Sequence, residues 1–283
     1  MSKIIVIPNT INNISNIDAD AILLGINNYS VNTLNINIDD LNLLNFKGEL
    51  FISLNKNLMN EDLDIIEDIL IKLNNYNIKG VFYYDVGLLN IAKRLDLNYD
   101  LIWSAEHLTT NYFTINYWKS KGVNGTFLSN EITIDEMLSI RENTDSKLIA
   151  QMFGYIPMYV SKRHAVKNYI KNFNLDSNSN KYYIYKEEKK YHIVDNNDGT
   201  MIYSSFILNG LEEYLDNIDK FDYILINGFE ISDKDLLKVI DIYKNVNKDN
   251  LEESNKMLSD MFDNLGKGFL HEESIYRVKK DDK

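Results

Sequence analysis

The sequence predicts a (β/α)8 barrel of the TIM type, a closed parallel sheet surrounded by helices. Short β-branched runs alternate with helical stretches, which is typical of a mostly parallel sheet. Several runs are continuously apolar, as expected where both faces of a parallel strand are covered. The eight strands are predicted at Lys3–Ile7, Asp20–Leu24, Glu49–Leu54, Ile78–Tyr83, Asp100–Trp103, Val123–Leu128, Lys147–Met152 and Phe221–Ile226.

Helical patterns lie between these strands. The clearest covers Asp62–Leu73, where apolar residues recur on one stripe. Beyond the last barrel strand, Asp233–Tyr243 and Leu251–Phe262 also have helical patterns. An open, doubly wound sheet is the competing architecture, but no glycine-rich phosphate loop follows the first strand. The pattern therefore favours the closed barrel.

The regular alternation is interrupted once, after Phe173. Three segments alternate as antiparallel strands would, at Lys181–Tyr185, Tyr191–Val194 and Thr200–Ser204, and Asn196–Gly199 forms a plausible turn. We interpret residues 173–206 as a small antiparallel β insertion within a single barrel domain of residues 1–283. Residues 249–283 are interpreted as a C-terminal helix and tail.

Composition limits the classes of function. The formal net charge of −12 argues against a protein that holds nucleic acid by bulk charge alone. The chain has no cysteine, which excludes disulfides, a cysteine nucleophile and thiolate ligands for an iron–sulfur cluster. No apolar run approaches the roughly 18 residues that a transmembrane helix needs. We therefore expect a cytoplasmic protein without membrane partners.

Polar residues follow most of the predicted strands. The chemistry of a TIM barrel lies at the C-terminal ends of its strands, so such residues converge on one rim. They are Asn9, Asn55, Tyr84, Asp85, Glu106, His107, Glu131, Gln151 and Asn227. Each residue alone also has a local explanation, because an Asp or Asn after a strand commonly caps the next helix.

Glu106 and His107 form the one strand-end pair suited to acid–base chemistry. The alternative is a capping or salt-bridged pair. The other histidines, His164, His192 and His271, show no metal-binding spacing, and we predict no metal site. A conventional protease is also disfavoured, because neither a GxSxG elbow nor a recognisable Ser-His-Asp arrangement is present.

The segment Met158–Phe173 predicts an amphipathic helix with a basic N-terminus. Ser161 is placed as its N-cap, with Lys162 and Arg163 in the first turn. Tyr169 and Phe173, together with Val166 and Ile170, are expected to face the core. A helix N-terminus with basic side chains can bind a carboxylate or phosphate. The alternative is a solvated helix face.

The segment from Glu106 to Lys171 resembles the short proteins of peptidase family U32. The resemblance is carried by Thr110–Trp118, Gly122, Leu128–Glu131, Met158–Arg163 and Asn168-Tyr169. Weaker similarity is found at Asn55, Asn60, Asp85, Gly268–Leu270 and Ile275–Val278. The resemblance thus covers most of the chain and is most specific between Glu106 and Lys171.

This resemblance implies several properties. The family carries a collagenase-like peptidase label, but its better-understood members act in oxidative hydroxylation of RNA or quinone precursors. Those members bind an iron–sulfur cluster through four cysteines, and some are heterodimers. The short branch is linked to 5-hydroxyuridine formation at the tRNA wobble position, with prephenate implicated, and is typically paired with a longer U32 protein.

The resemblance, together with the placement of polar residues at strand ends, indicates a set of site residues. Glu106, His107 and Glu131 are the catalytic candidates, and Ser161, Lys162 and Arg163 are expected to bind a carboxylate or a tRNA phosphate. Further ligand-binding residues are expected at Asn55, Asp85, Asn111 and Gln151.

The sequence departs from the family pattern at two positions. Phe153 precedes Gly154 where a His-Gly pair is common, and Pro157 stands where a cysteine is common. Three functions therefore remain open: a tRNA hydroxylation subunit, a peptidase, or a non-catalytic partner of a longer U32 protein.

Overall fold

The computed structural model describes residues 1–105, 107–176 and 181–272 and contains a closed barrel. Its strands are β1 (Lys3–Ile7), β2 (Ala21–Ile26), β3 (Asn35–Ile36), β4 (Glu49–Leu54), β5 (Gly80–Tyr83), β6 (Asp100–Trp103), β7 (Gly125–Phe127), β8 (Lys147–Ser161), β9 (Tyr182–Lys186), β10 (Lys189–Asn196), β11 (Gly199–Asn209), β12 (Tyr223–Asn227) and β13 (Leu265–Gly266). Strands β1, β2, β4, β5, β6, β7, β8 and β12 pair in parallel, and β12 closes the ring on β1. The predicted TIM-type barrel is confirmed.

Eight α-helices connect the strands of the described residues, and all but α5 belong to the barrel and its C-terminal extension. They are α1 (Leu63–Leu73), α2 (Val86–Ala92), α3 (Tyr112–Ser120), α4 (Ile134–Glu142), α5 (Ala165–Asn172), α6 (Leu211–Asp216), α7 (Asp233–Asn245) and α8 (Leu251–Met261). The first two connections contain 3-10 helices, Ile11–Asn16 and Ile38–Leu43. In α1 the predicted stripe is buried through Ile66, Ile69 and Leu70. Within the described residues, no helix is long and apolar enough to cross a membrane.

Aromatic side chains fill the N-terminal half of the barrel interior. The ring of Phe51 packs edge to face with the rings of Phe82 and Tyr223, with ring centroids 5.5 Å and 5.3 Å apart. Tyr223 Oη donates a hydrogen bond to Glu49 Oε2 at 2.7 Å, and Glu49 also pairs with Lys3 at the rim. Because this half is packed, free space inside the barrel lies toward the C-terminal ends of the strands.

Strand β8 is much longer than the sequence predicts. We expected it to end at Met152, but it continues to Ser161 because its outer half pairs antiparallel with β11. The partner is distant in the chain, since Thr200, which faces Ser161, follows it by 39 residues, so no local pattern reveals the pairing. For the same reason the predicted helix with Ser161 as its N-cap and Lys162 and Arg163 in its first turn begins later than expected, and α5 starts at Ala165.

The outer half of β8, with α5, β9, β10 and β11, forms a unit that we call the arm; its described residues are 154–176 and 181–209. The predicted antiparallel strands and their turn are confirmed, since β10 ends at Asn196 and β11 begins at Gly199. Gly199 has φ +117°, and a Cβ there would lie 2.0 Å from the Ser161 carbonyl oxygen, so the turn requires glycine. The insertion therefore grows directly from a barrel strand.

The arm stands beside the C-terminal mouth of the barrel. At its turn, Asp198 contacts Lys56 Nζ and Asn35 Nδ2, each at 3.3 Å. Further along β11, Tyr203 Oη donates to Asn32 Oδ1 at 2.9 Å. These contacts join the arm to the loops that follow β2 and β4.

The C-terminal segment returns to the barrel and is anchored by one buried carboxylate. Glu213, whose side chain is only 3% exposed, accepts hydrogen bonds from Lys267 Nζ at 2.8 Å and His271 Nε2 at 2.5 Å. Burial alone would raise the pKa of Glu213, but the hydrogen bonds from Lys267 and His271 outweigh it and hold the pKa below its usual value.

Replacing Glu213→Gln should lower the free energy of unfolding by about 1–3 kcal/mol at neutral pH, because Lys267 and His271 lose their buried carboxylate partner. The lowered pKa means that the carboxylate stabilises the fold above its unfolded pKa of about 4.3 and loses this effect as pH falls through the folded pKa. Urea unfolding at neutral and acidic pH measures both effects. Glu212→Gln is the matched control, since Glu212 is exposed and contacts the same Lys267. Equal losses in both variants would contradict the assignment.

Candidate functional site at the barrel mouth

A cavity of about 180 Å³ lies at the C-terminal ends of the barrel strands. Its floor is apolar and consists of Ile7, Leu23, Phe82, Phe127 and Leu225. Its polar lining consists of Asn32, Thr33, Ser53, Asn55, Ser104, His107, Asn130, Glu131, Gln151, Ser204 and Asn227. The remaining wall comes from Ile156, Pro157, Met158, Phe206 and Phe269. An apolar floor with a polar rim is suited to a small ligand.

Gln151 is positioned by an irregularity in β8. The register between β8 and β12 shifts just after Gln151, and its Nε2 lies 3.1–3.3 Å from the carbonyl oxygens of Phe153, Gly154 and Tyr155. Asn227 Nδ2 donates to the same Tyr155 carbonyl at 3.0 Å. Asn227 is the last residue of β12, and Gln151 lies within β8 next to the point where its pairing with β12 shifts; both amides are fixed by backbone groups.

Asn55 also combines a structural role with a place in the cavity. Its Oδ1 accepts from Val31 N at 2.8 Å, and its Nδ2 donates to the Val31 carbonyl at 3.1 Å. The side chain thereby fixes the loop after β2 against the end of β4.

His107 and Glu131 form an ion pair on the cavity rim. His107 Nδ1 lies 3.1 Å from Glu131 Oε1, and both side chains are about half exposed. The predicted pair of Glu106 with His107 includes Glu106, which lies outside the described residues. An imidazole held by a carboxylate can accept or deliver a proton to a ligand. The structure thus brings two of the three predicted catalytic candidates together.

Two predicted ligand-binding residues cap helices and do not line the cavity. Asp85 Oδ1 accepts from Gly87 N at 2.7 Å, and its Oδ2 accepts from Leu58 N at 3.0 Å. Asn111 Oδ1 accepts from Thr114 N at 3.0 Å at the start of α3. Asp85 and Asn111 are therefore helix caps, the alternative role that the sequence indicates for Asp and Asn residues after strands.

The N-terminus of α5 is occupied by a carboxylate of the protein itself. The backbone N–H groups of Val166 and Lys167 donate to Asp195 Oδ2 at 2.8 and 3.1 Å, and His164 Nδ1 lies 2.9 Å from Asp195 Oδ1. The Asp195 side chain is 0% exposed. Ser161 is not the N-cap of this helix, because β8 extends through it. The predicted anion site on this helix end is therefore filled from within.

Ser161, Lys162 and Arg163 instead line a groove between the arm and the barrel. This groove measures about 610 Å³ and also includes Lys56, Asn57, Tyr84 and Tyr159. It leads into the cavity, because Asn55, His107 and Met158 line both. Lys162 Nζ lies 3.9 Å from Asp62, whereas Arg163 makes no ion pair with a carboxylate in the described ranges. The positive charge at the entrance of the cavity thus comes from side chains that line the groove, and it does not depend on the N-terminus of a helix.

The two departures from the family pattern occupy different environments. Phe153 is fully buried between the barrel and the segments packed against it. Its ring centroid lies 5.9 Å from that of Tyr243 and 5.7 Å from that of Phe262. Pro157 lines the cavity. A saturated proline ring offers no ligand atom and the chain has no cysteine, so a thiolate-ligated iron–sulfur cluster does not fit these residues.

Several lining residues escaped the sequence analysis. Asn130 Nδ2 donates to Gln151 Oε1 at 3.3 Å, and its position beside Glu131 after β7 was a usable signal. Asn32 gave no signal, because it reaches the mouth from a loop, and Phe269 gave only the weaker family similarity of Gly268–Leu270 in the C-terminal segment.

Replacing Asp195→Ala should destabilise the arm by about 1–3 kcal/mol, because two backbone N–H groups lose their acceptor. Burial alone raises the pKa of Asp195, but hydrogen bonds from Lys167 N–H, His164 and Val166 N–H outweigh it, so its pKa lies below the usual value. Its contribution is therefore present above the unfolded pKa of about 3.9 and disappears as pH falls through the folded pKa.

Amide hydrogen exchange at Val166 and Lys167, with urea unfolding across pH, measures this loss. The exposed Asp176→Ala serves as the control, and faster exchange in both variants alike would argue against the cap.

Comparison with known proteins agrees with the family resemblance. The profile of peptidase family U32 matches residues 9–278. tRNA hydroxylation protein P2 of Bacillus subtilis is 26% identical over 209 residues, 70% of this chain and 67% of the relative. tRNA hydroxylation protein P1 of the same organism is 22% identical over 159 residues, 54% of this chain and 38% of the relative. tRNA hydroxylation protein P of Haemophilus influenzae is 31% identical over 87 residues, 30% of this chain and 19% of the relative. Because the family profile covers nearly the whole sequence, the chain belongs to peptidase family U32.

Proposed function

We propose that this chain is a component of a tRNA hydroxylation system and acts in the cytoplasm. The observation that carries the proposal is its similarity, over 70% of its length, to a protein named for tRNA hydroxylation. Two further relatives carry the same kind of name. The cavity and the groove that leads into it are the proposed site of contact with the substrate.

The lining supports binding and proton transfer. The amide of Asn130, which Gln151 holds through its Oε1, offers a further N–H donor and an acceptor oxygen to a planar polar ligand above the apolar floor. The pair of His107 with Glu131 can remove or return a proton at the rim. Hydroxylation also needs an oxygen source and an electron acceptor, so we assign only binding, orientation and proton transfer to this chain.

Arg163 and Lys162 support the binding of an anionic group at the entrance of the cavity. A small carboxylate such as prephenate, or a phosphate of the tRNA, is the proposed ligand. A guanidinium without a carboxylate partner is available for a bidentate contact with either group.

We also propose a longer family U32 protein as partner. The absence of cysteine means that any thiolate-bound cluster must belong to another chain. The same observation favours a second candidate function, a non-catalytic subunit that stabilises the longer protein. Peptidase activity, the activity in the family's name, lacks an activated nucleophile among the lining residues described above.

In a strain that lacks this gene and its family U32 paralogues, tRNA nucleosides should lose 5-hydroxyuridine derivatives. We expect restoration when this chain is supplied together with the longer paralogue, because the pair completes the ligand set. Nucleoside mass spectrometry gives the measurement. Unchanged nucleosides in the deletion strain would refute the tRNA function, and restoration by this chain alone would refute the need for a partner.

Glu131→Gln in the complemented strain should reduce 5-hydroxyuridine formation by about 10²-fold, because the imidazole of His107 loses its carboxylate partner. Glu142→Gln at the end of α4 is the matched control and should leave the nucleoside unchanged. Full activity of Glu131→Gln, with both variants present at wild-type levels, would assign the chain a non-catalytic role.

A further inference from the structure

The arm carries an excess of positive charge on an otherwise acidic chain. Residues 154–209 contain eight Lys and Arg side chains against five Asp and Glu, a net charge of +3, whereas the rest of the chain carries −15. Two of the five acidic residues are engaged inside the protein, Asp195 with α5 and Asp198 with Lys56. Two of the eight cations also pair with carboxylates outside the arm, Lys162 with Asp62 and Lys181 with Glu230. Six Lys and Arg side chains therefore remain against three Asp and Glu, and the positive excess of the arm is unchanged.

Most of these cations point into solvent. Lys171, Lys186, Lys189 and Lys190 are exposed, and none forms an ion pair with a carboxylate in the part of the chain that the structure describes. Lys167 is also exposed, with its Nζ 4.0 Å from Asp195. Lys190 lies over the ring of Tyr183, with Nζ 3.8 Å from its centroid. Long cationic side chains without internal partners are suited to phosphate groups.

Large aromatic side chains are exposed among these cations. Tyr169 and Phe173, which we expected to face the core, are each 58% exposed, and α5 buries no residue completely. The prediction fails because α5 lies on the outer sheet of the arm and not on the barrel. Tyr185 is 70% exposed on β9, and Tyr159 lines the groove. Exposed aromatic rings among cations are typical of surfaces that bind single-stranded nucleic acid.

We propose that the arm is an RNA-binding surface that holds the tRNA while one of its nucleotides reaches the cavity. This inference rests on the proposed function and assigns a surface to it. Lys167, Lys171, Lys189 and Lys190 contact phosphates, and exposed aromatic rings such as that of Tyr185 stack on unpaired bases.

The groove supplies the path from the arm to the cavity. Its wall on the arm side includes Tyr159, Lys162 and Arg163, and its opposite wall includes Tyr84 and His107. Residues at the inner end of the groove also line the cavity. The strongly negative remainder of the chain repels a polyanion, which favours binding on the arm side.

The test is fluorescence anisotropy of a labelled tRNA transcript with the full chain, between about 50 and 200 mM salt. The double variants Lys167→Ala/Lys171→Ala and Lys189→Ala/Lys190→Ala should each weaken binding about tenfold and flatten its salt dependence, because two phosphate contacts are lost. The matched control is the double variant Lys72→Ala/Lys93→Ala. It removes two exposed lysines, one on α1 and one after α2, and should bind like wild type.

Tyr185→Leu tests the stacking of bases on the arm. It should weaken binding to tRNA several-fold but leave binding to heparin unchanged, because only RNA offers bases for stacking.

The proposal is overturned if wild-type protein does not bind the transcript, or if arm and control variants lose the same affinity. It is also overturned if the arm variants retain tRNA binding but change the sedimentation of the protein, which would identify the arm as a protein interface. The nucleoside assay in cells is independent of these outcomes. Hydroxylation that survives all the arm substitutions would leave the proposed function in place and refute this surface alone.

Discussion

The pairing of β8 with two different partners is the interaction on which the rest of the structure depends. Its inner half is a parallel strand of the barrel, between β7 and β12, and its outer half pairs antiparallel with β11. Gly154 marks the change, with φ +105° and no room for a Cβ beside the Asn227 carbonyl oxygen. One continuous strand therefore carries cavity residues, groove residues and the base of the arm.

This arrangement explains why the candidate site is polar at its rim and rigid at its base. The amide groups of Gln151 and Asn227 are held by carbonyl groups of β8 that lie just beyond the register shift. Asn55 is held in the same way by Val31. His107 and Glu131, by contrast, contact each other and remain half exposed, so the groups suited to proton transfer are also those that a ligand can reach.

The arm and the rest of the chain differ in the sign of their net charge. The carboxylate of Asp195 neutralises the N-terminus of α5 inside the protein, and α5 itself carries lysines but no acidic side chain. The loss of the histidine and cysteine expected near Gly154 has a structural counterpart, because Phe153 fills the core beneath α7 and α8 and Pro157 closes one wall of the cavity. The chain thus keeps the barrel and its mouth while it lacks ligands for a cluster.

The sequence by itself determined the barrel, the positions of the barrel strands and the family, because these depend on local periodicity and on short motifs. It also indicated Gln151, Asn55, His107 and Glu131, since residues after parallel strands meet at one edge whatever the details of packing. Only the tertiary structure decided the length of β8, the pairing of His107 with Glu131, the capping of α5 by Asp195 and the exposure of Tyr169 and Phe173. Each of these features depends either on a partner that is distant in the chain or on the side of a helix that packs against the core. Local sequence patterns carry no information about such partners.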